Sequence, residues 1–366
     1  MMNTSPLTNA SSPGGPPRSG NAGIEQRLLL AWKRLDMPPG SPVLLGFSGG
    51  PDSLALALAL RRIAPLAGFD LHALHVDHGL RPESGLEATR ALRLAETIGL
   101  RCRVAAPRGD PVQLHLGTGI EEAGRRERFR ALTAEASRIG ASHCALAHHQ
   151  DDQAETIMLH LLRGAGLAGA AGMVPVAKLS VPWWREEHAA QRPLMLWRPW
   201  LDESRSAIAA YRERIAPELE PVIDPSNDDP SLLRNRVRHQ LMPQLEGIRP
   251  GARQALARFG ALAGEDDRFL DDLARERLDA LGARPGDLPV AGLSALPLPL
   301  LRRVLRIACM EAGHLSELSG TGVEALVLAV CRGQGGVTIQ LGGGKTATIA
   351  RGRLLVSSNE HRAHPP

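Results

Sequence analysis

The stretch Pro42-Val-Leu-Leu-Gly-Phe-Ser-Gly-Gly-Pro-Asp-Ser53 changes character at its middle. Pro42 to Phe47 is a short apolar run of the kind found in a buried strand, and Leu54 to Ala64, just beyond it, is built from helix formers. A strand that passes through a glycine-rich turn into a helix brings backbone N–H groups, and here the hydroxyls of Ser48 and Ser53, to the positive end of a helix dipole. That is an anion site. Gly49 and Gly50 let the backbone approach an oxyanion closely. Asp52 is placed to hold a metal ion that bridges phosphates. The plainer alternative is a tight strand-to-helix turn with Asp52 or Ser53 as a cap.

Working outward, Leu71 to Asp77, Cys102 to Ala106 and His143 to Ala147 read as strands. Ile24 to Leu35, Glu83 to Ile98 and Ile120 to Ile139 read as helices. Such alternation predicts right-handed crossovers and a parallel sheet covered on both faces, a doubly wound α/β fold whose ligands sit at the carboxyl ends of strands. From Asp224 the pattern changes to a polar loop and an arginine-studded helix. Beyond Leu256, helices alternate with proline-rich loops, and Val337 to Ser357 shows short strands split by glycines. The expected organisation is a disordered tail over 1–23, a catalytic domain over 24–222, an Arg-rich linker helix region over 223–256, and a smaller α+β domain over 257–360.

The 366 residues, 43% hydrophobic and 22% charged, have the balance of a globular protein with two to three domains. No apolar run approaches the ~20 residues a bilayer span needs, and the tail has no apolar core of an export signal. Cys102, Cys144, Cys309 and Cys331 form no C-x-x-C pair, which argues against a zinc ribbon, a redox dithiol or a disulfide framework. Cytoplasm is the expected compartment. Lysine occurs only at Lys33, Lys178 and Lys345, so 40 of the 43 basic residues are arginine. Genome-wide codon bias explains this, and so does phosphate recognition by guanidinium forks. Two decoys fail on spacing. Gly342-Gly-Gly-Lys-Thr346 lacks the first Walker A glycine, since Ile339 stands there, and Gly333-Gln-Gly335 has Thr338 where a dinucleotide fingerprint needs glycine.

Four further segments carry chemistry. His75-Val-Asp-His-Gly-Leu-Arg81 ends the second strand, where an adenosine would lie beside bound phosphates. In Glu121 to Arg130, Arg125 and Arg128 share a helix face. Ala147-His-His-Gln-Asp-Asp-Gln-Ala-Glu-Thr156 runs from a strand end into a helix, and its spacing puts His148, Asp152 and Glu155 on one face. In Asp224 to His239, Arg234 and Arg238 share a face and Arg236 lies on the other side. Each has a structural alternative as a strand end, a helix cap or a solvated charged face.

The six-residue loop resembles the pyrophosphate-binding loop of the ATP pyrophosphatase (PP-loop, adenine nucleotide alpha hydrolase-like) superfamily. Taken with those four segments, the run Arg163-Gly-Ala-Gly166 to Gly172-Met173 and Arg198-Pro-Trp-Leu201, it resembles the tRNA(Ile)-lysidine synthase family over about Val43 to Leu245. The resemblance implies a ligase that uses ATP and Mg²⁺ to adenylate C2 of the wobble cytidine in the CAU anticodon of tRNA(Ile). Free L-lysine then displaces AMP, giving lysidine, AMP and pyrophosphate. It assigns Ser48, Gly49, Gly50, Pro51, Asp52, Ser53 and His75 to the nucleotide, with Asp52 on the metal. Asp52, His148, Asp152 and Arg125 become catalytic candidates, and Arg128, Asp152, Glu155, Arg234 and Arg236 are matched to lysine and cytidine. The final domain corresponds by position to the family's tRNA-binding domain, where longer members carry two. Departures are Gly124 for a usual Ala, Arg126 for a usual acid, and an insertion over Lys178 to Arg192 with Trp183 and Trp184. A tRNA thiolase of the same superfamily, or a silent nucleotide- or RNA-binding module, is the alternative; the first usually needs paired cysteines, the second a broken loop.

Overall fold

The computed structural model describes residues 23–77, 79, 84–106, 108–179, 193–223, 229–284, 286–313, 320–342 and 345–358. The tail, His78 and Arg81, most of the 178–192 insertion and most of the 224–230 loop lie outside the described residues.

Strands β1 (Pro42–Gly46), β2 (Asp70–Val76), β3 (Arg101–Ala105), β4 (His143–Ala145), β5 (Val176–Lys178) and β6 (Met195–Trp197) form one sheet in the order β3-β2-β1-β4-β6-β5. All neighbours are parallel except the edge strand β5. Val43, Leu44 and Leu45 of β1 are fully buried, as a central strand covered on both faces requires. Val43, Leu45, Ala73, Ala145 and Trp197 point to one face, into a core with residues of α1 (Ile24–Lys33), α2 (Pro51–Ala67), α3 (Ser84–Thr97) and α8 (Arg205–Ile215). On the opposite face, a side chain at Gly46 would meet Leu146 and Leu132, the latter on α5 (Ile120–Ile139). The doubly wound parallel sheet expected from the sequence is therefore present. β1 leads to β2 on one side and borders β4 on the other, so the crevice between the carboxyl ends of β1 and β4 is the topological switch point.

The remaining helices are α4 (Pro111–Leu114), α6 (Gln150–Leu162), α7 (Leu167–Ala170), α9 (Leu233–Arg236), α10 (Met242–Ile248), α11 (Ala252–Ala280), α12 (Leu298–Gly313) and α13 (Gly320–Cys331). A second sheet, antiparallel in the order β7-β10-β9-β8, comprises β7 (Asp287–Pro289), β8 (Val337–Gly342), β9 (Lys345–Ala350) and β10 (Arg353–Ser358). One of its faces packs on α12 and α13 through Leu301, Val304, Leu305, Leu326, Ile349 and Leu354. Among the described residues, packing divides the chain into two compact units. One takes 23–148, 176–178 and 193–223; the other takes 149–175, 179 and the residues from 229 onward. This division cuts across the expected segments, because α6 and α7 pack with α11. A side chain at Gly260 would meet Ile157 Cδ1 at 2.6 Å and the carbonyls of Ala171 and Ala170 at 3.2 and 3.3 Å. β7, which falls among the proline-rich loops expected from the sequence, is a three-residue edge strand with Pro289, too short to show alternation.

Candidate active site

In the first unit the loop after β1 is held from several sides. Gly49 has φ +78°, and an added side chain would meet Val222 Cγ2 at 3.0 Å and Ala91 Cβ at 3.1 Å. Its carbonyl accepts from the Val222 N–H at 2.9 Å. The Ser48 hydroxyl lies 3.0 Å from that of Ser53 and accepts from the Gly50 N–H at 3.2 Å. Gly50 is the N-cap and Pro51 the first residue of α2, so Asp52 and Ser53 stand in a first helical turn whose N–H groups have no intrahelical acceptor. Both glycines and both hydroxyls thus lie together at a helix N-terminus, a setting that favours an anion. Gly49→Ala is expected to lower stability by about 1–3 kcal/mol, from left-handed strain plus crowding, read as a drop in thermal midpoint.

His75 is buried at the end of β2, and its Nδ1 lies 3.0 Å from the Phe47 carbonyl. A carbonyl only accepts, so Nδ1 carries the proton. Burial pushes the imidazole pKa below its usual value, which keeps the ring neutral and leaves Nε2 as an acceptor. Arg125 and Arg128 are exposed on α5, the former stacked 5.1 Å from the Phe129 ring. Arg198, just past β6, is 8% exposed, and burial together with the Arg125 guanidinium lowers its pKa. His148 is half-buried beyond β4. Leu146 N–H donates to the Trp197 carbonyl at 2.8 Å, which sets the exits of β4 and β6 side by side. The charge reversal noted in α5 has a local answer. Arg126 pairs with Glu122 at 3.0 Å, while Glu127, 3% exposed, takes His115 at 3.0 Å and Arg130 at 2.9 Å. Burial alone would raise its carboxyl, but the hydrogen bonds from His115 and Arg130 and the Arg130 charge hold it below the usual range.

In the second unit, α6 starts at Gln150 with His149 as its N-cap, so His148 precedes the helix and the shared face extends to Asp152 and Glu155 only. His149 and Asp152 form a reciprocal capping box, the His149 N–H donating to Asp152 Oδ2 at 3.1 Å. Asp152 is 8% and Glu155 3% exposed. Arg234 donates to Glu155 Oε2 and to Asp152 Oδ1, both at 3.2 Å. Arg238 donates to Glu155 Oε1 at 2.7 Å, to Glu155 Oε2 at 3.0 Å and to Asp152 Oδ1 at 3.0 Å. The result is two acids and two guanidiniums on adjoining helices. Arg236 is exposed and has no part in this cluster, whereas Arg238 makes its shortest contact. Arg238 shares a face with Arg234, the one signal in the sequence that could have selected it.

The chain reaches this geometry by an irregular helix. α9 runs into a π-helical turn over Val237–Leu241 and on through α10, and the Met242 N–H donates to the Val237 carbonyl, five residues back. Pro243 explains the irregularity: it has no N–H for the His239 carbonyl, and its ring would strike that carbonyl in a regular helix. Gln153, also on α6, clamps the glycine-rich run, donating to the carbonyls of Ala171 at 3.1 Å and Met173 at 2.9 Å. Among the described residues no group of three His, Cys, Asp or Glu could hold a metal ion, and no helix is long and apolar enough to cross a membrane. The Cys144 and Cys309 thiols are pushed up to about 12 by burial, and Cys102 to about 11.

Residues 24–245 match the model of the PP-loop domain, and residues 288–355 that of the TilS substrate binding domain. The chain is 38% identical over 322 residues to a tRNA(Ile)-lysidine synthase of Salinispora arenicola, covering 87% of this chain and 92% of that one. It is 35% identical over 331 residues to the same enzyme of Thermobifida fusca, covering 88% and 94%. Among solved structures, the U34-tRNA thiolase NcsA of Methanococcus maripaludis superposes with a TM-score of 0.52 at 16% identity, over 66% of this chain and 78% of that one. That likeness speaks to the fold alone.

Proposed function

The chain belongs to the tRNA(Ile)-lysidine synthase family, and from that premise we propose how its residues divide the work. It is an ATP-dependent ligase that acts on tRNA, and the sequence match favours this reading over sulfur transfer. The finer reading is that the substrates are the wobble cytidine of a CAU-anticodon tRNA(Ile) and free L-lysine, and that the reaction takes place in the cytoplasm.

The loop from Ser48 to Ser53 binds the phosphates of ATP, with its hydroxyls and the N-terminus of α2 on the charge that pyrophosphate gains as it leaves. Asp52 would hold Mg²⁺, as a single carboxylate suits that ion, and the ion would supply charge neutralisation on the phosphates. The cytidine C2 oxygen attacks the α-phosphorus, and the O–P bond to pyrophosphate breaks. His75 faces the adenosine with a neutral ring. Arg125 and Arg128 meet the negative charge of the adenylated base. In the second step the ε-amine of lysine attacks C2, AMP departs with the C2 oxygen, and the amine loses its proton to a nearby acceptor, for which His148 and Asp152 are candidates.

The observation that carries the lysine assignment is the cluster of Asp152, Glu155, Arg234 and Arg238, two buried acids set against two half-buried guanidiniums. A free amino acid with a second ammonium group needs that mixture: carboxylates for its cations, a guanidinium fork for its carboxylate. Arg236 remains a candidate for the RNA rather than for the amino acid. The test is direct. With ATP, labelled lysine and a CAU-anticodon tRNA transcript, label is expected to enter the RNA at the same rate as AMP appears. Incorporation of labelled sulfur instead, or none with any amino acid, would overturn the reading.

A further inference from the structure

We propose that Glu127 is a positioning residue for adenylation: held by His115 and Arg130, it fixes the rotation of α5 that presents Arg125 and Arg128 to the nucleotide. The proposal rests on the reading above that those two arginines meet the adenylated base. α5 runs for 20 residues, yet most of its buried positions are small. Ala123, Gly124, Ala131 and Ala136 are buried, and the large apolar side chains among the buried set are Phe129 and Leu132. Small residues let a helix lie close to a sheet but do little to stop it turning about its axis. The other buried side chains of the helix are two carboxylates, Glu127 and Glu135, eight residues apart.

Each carboxylate takes one donor from α5 itself and one from outside it. Glu135 accepts from Arg138 at 2.7 and 2.9 Å and from Arg103 of β3 at 3.0 Å. Glu127 accepts from Arg130 at 2.9 Å and from His115 Nε2 at 3.0 Å, with Arg108 3.8 Å away. A carboxylate only accepts, so His115 Nε2 carries the proton. His115 ends α4, whose first turn is capped by Asp110, and the Thr118 hydroxyl donates to the His115 carbonyl at 2.8 Å. Residues 108–119 follow the carboxyl end of β3, beside the end of β2 where His75 stands. Glu127 thus ties α5 to the end of the sheet where the nucleotide would lie, whereas Glu135 ties it to the body of β3. A buried charge gives up its partners only at high cost, so the pairing selects one setting of the helix. Successive helical residues are turned by about 100°, which puts Arg128 about 100° and Arg125 about 200° around the axis from Glu127. A rotation that drew Glu127 off His115 would swing both arginines with it.

The test uses the full chain with ATP, Mg²⁺ and a CAU-anticodon tRNA transcript, well below every variant's thermal midpoint. Glu127→Ala is expected to slow pyrophosphate release at saturating substrates by about 10-fold or more, because the arginines are misplaced though still present. KM for ATP and Kd for tRNA should stay within about twofold of wild type. Glu127→Gln should restore most of the rate, since an amide can accept from Arg130 and donate to the other tautomer of His115. Glu135→Ala, which empties the second carboxylate position of the same helix, should lower the thermal midpoint comparably yet leave release at its wild-type rate. If Glu127→Ala does not fold, His115→Ala cuts only the tie to α4 and should slow release in the same direction. Wild-type release by Glu127→Ala or by His115→Ala, or equal slowing by Glu127→Ala and Glu135→Ala, would overturn the proposal while leaving the assigned reaction intact. Wild-type release by a double variant, Arg125→Gln with Arg128→Gln, would instead overturn the reading of those arginines, and this proposal with it.

Discussion

Replacing Asp52 with alanine is expected to slow pyrophosphate release by about 10²-fold or more while tRNA affinity stays nearly unchanged. The residue sits in the first turn of α2, next to the paired hydroxyls of Ser48 and Ser53, where the phosphates of ATP would meet the helix N-terminus. A carboxylate there repels phosphate unless a cation stands between them. On the proposed reading a metal ion stands between them, and removing Asp52 would remove that ion's anchor. RNA binding draws on arginines spread over a wider surface and should not depend on one acid. Quantifying pyrophosphate with saturating tRNA, and Kd for tRNA without ATP, separates the two effects. Normal pyrophosphate release by the variant would sink the assigned role.

A second large effect is expected at Glu155, in the other unit. The carboxylate is 3% exposed and takes both Arg234 and Arg238. Glu155→Gln keeps the shape but places an amide that both donates and accepts against two groups that only donate. Two consequences follow. The fold should lose about 1–3 kcal/mol, since a partly buried guanidinium is left with a poorer partner. Lysine transfer should slow by roughly 10-fold or more, or its apparent KM rise as much, because a neutral amide holds an ammonium less well than a carboxylate does. Adenylation should survive, so the adenylated tRNA accumulates and excess lysine partly restores turnover. If Glu155→Gln blocks pyrophosphate release while lysine binding stays normal, the residue does not belong to the lysine pocket. Asp152→Asn, assayed in the same way, shows whether the second acid serves lysine or the metal.

What the sequence disclosed, it disclosed where short-range pattern and covalent geometry coincide. The run from Pro42 to Ser53 is strand, turn and helix start in both, with the helix beginning at Pro51, three residues before the first clear helix former. Asp152 and Glu155 are three apart on a helix, and that alone put them on one face. The choice between Arg236 and Arg238 was not available in the same way, because it depends on which side of α9 meets α6. Likewise α6 and α7 follow β4 in the chain yet pack with α11, and only the third dimension brings Gly260 against Ile157. By sequence Glu127 is one more charge on a solvated helix face, whereas in the fold it is buried and takes His115 and Arg130.

The π-helical turn between Arg234 and Pro243 also bears on how related chains are compared. One residue more than a regular helix would use is stored there, so the match of Arg238 to Glu155 is encoded by length as much as by identity. A chain one residue shorter between these positions would turn its two arginines by about 100° relative to α10. It could keep every charged residue and still lose the acid pair's partners. Counting the residues from Arg234 to Pro243 is therefore a sharper indicator of an intact pocket than the percentage of identical positions around it.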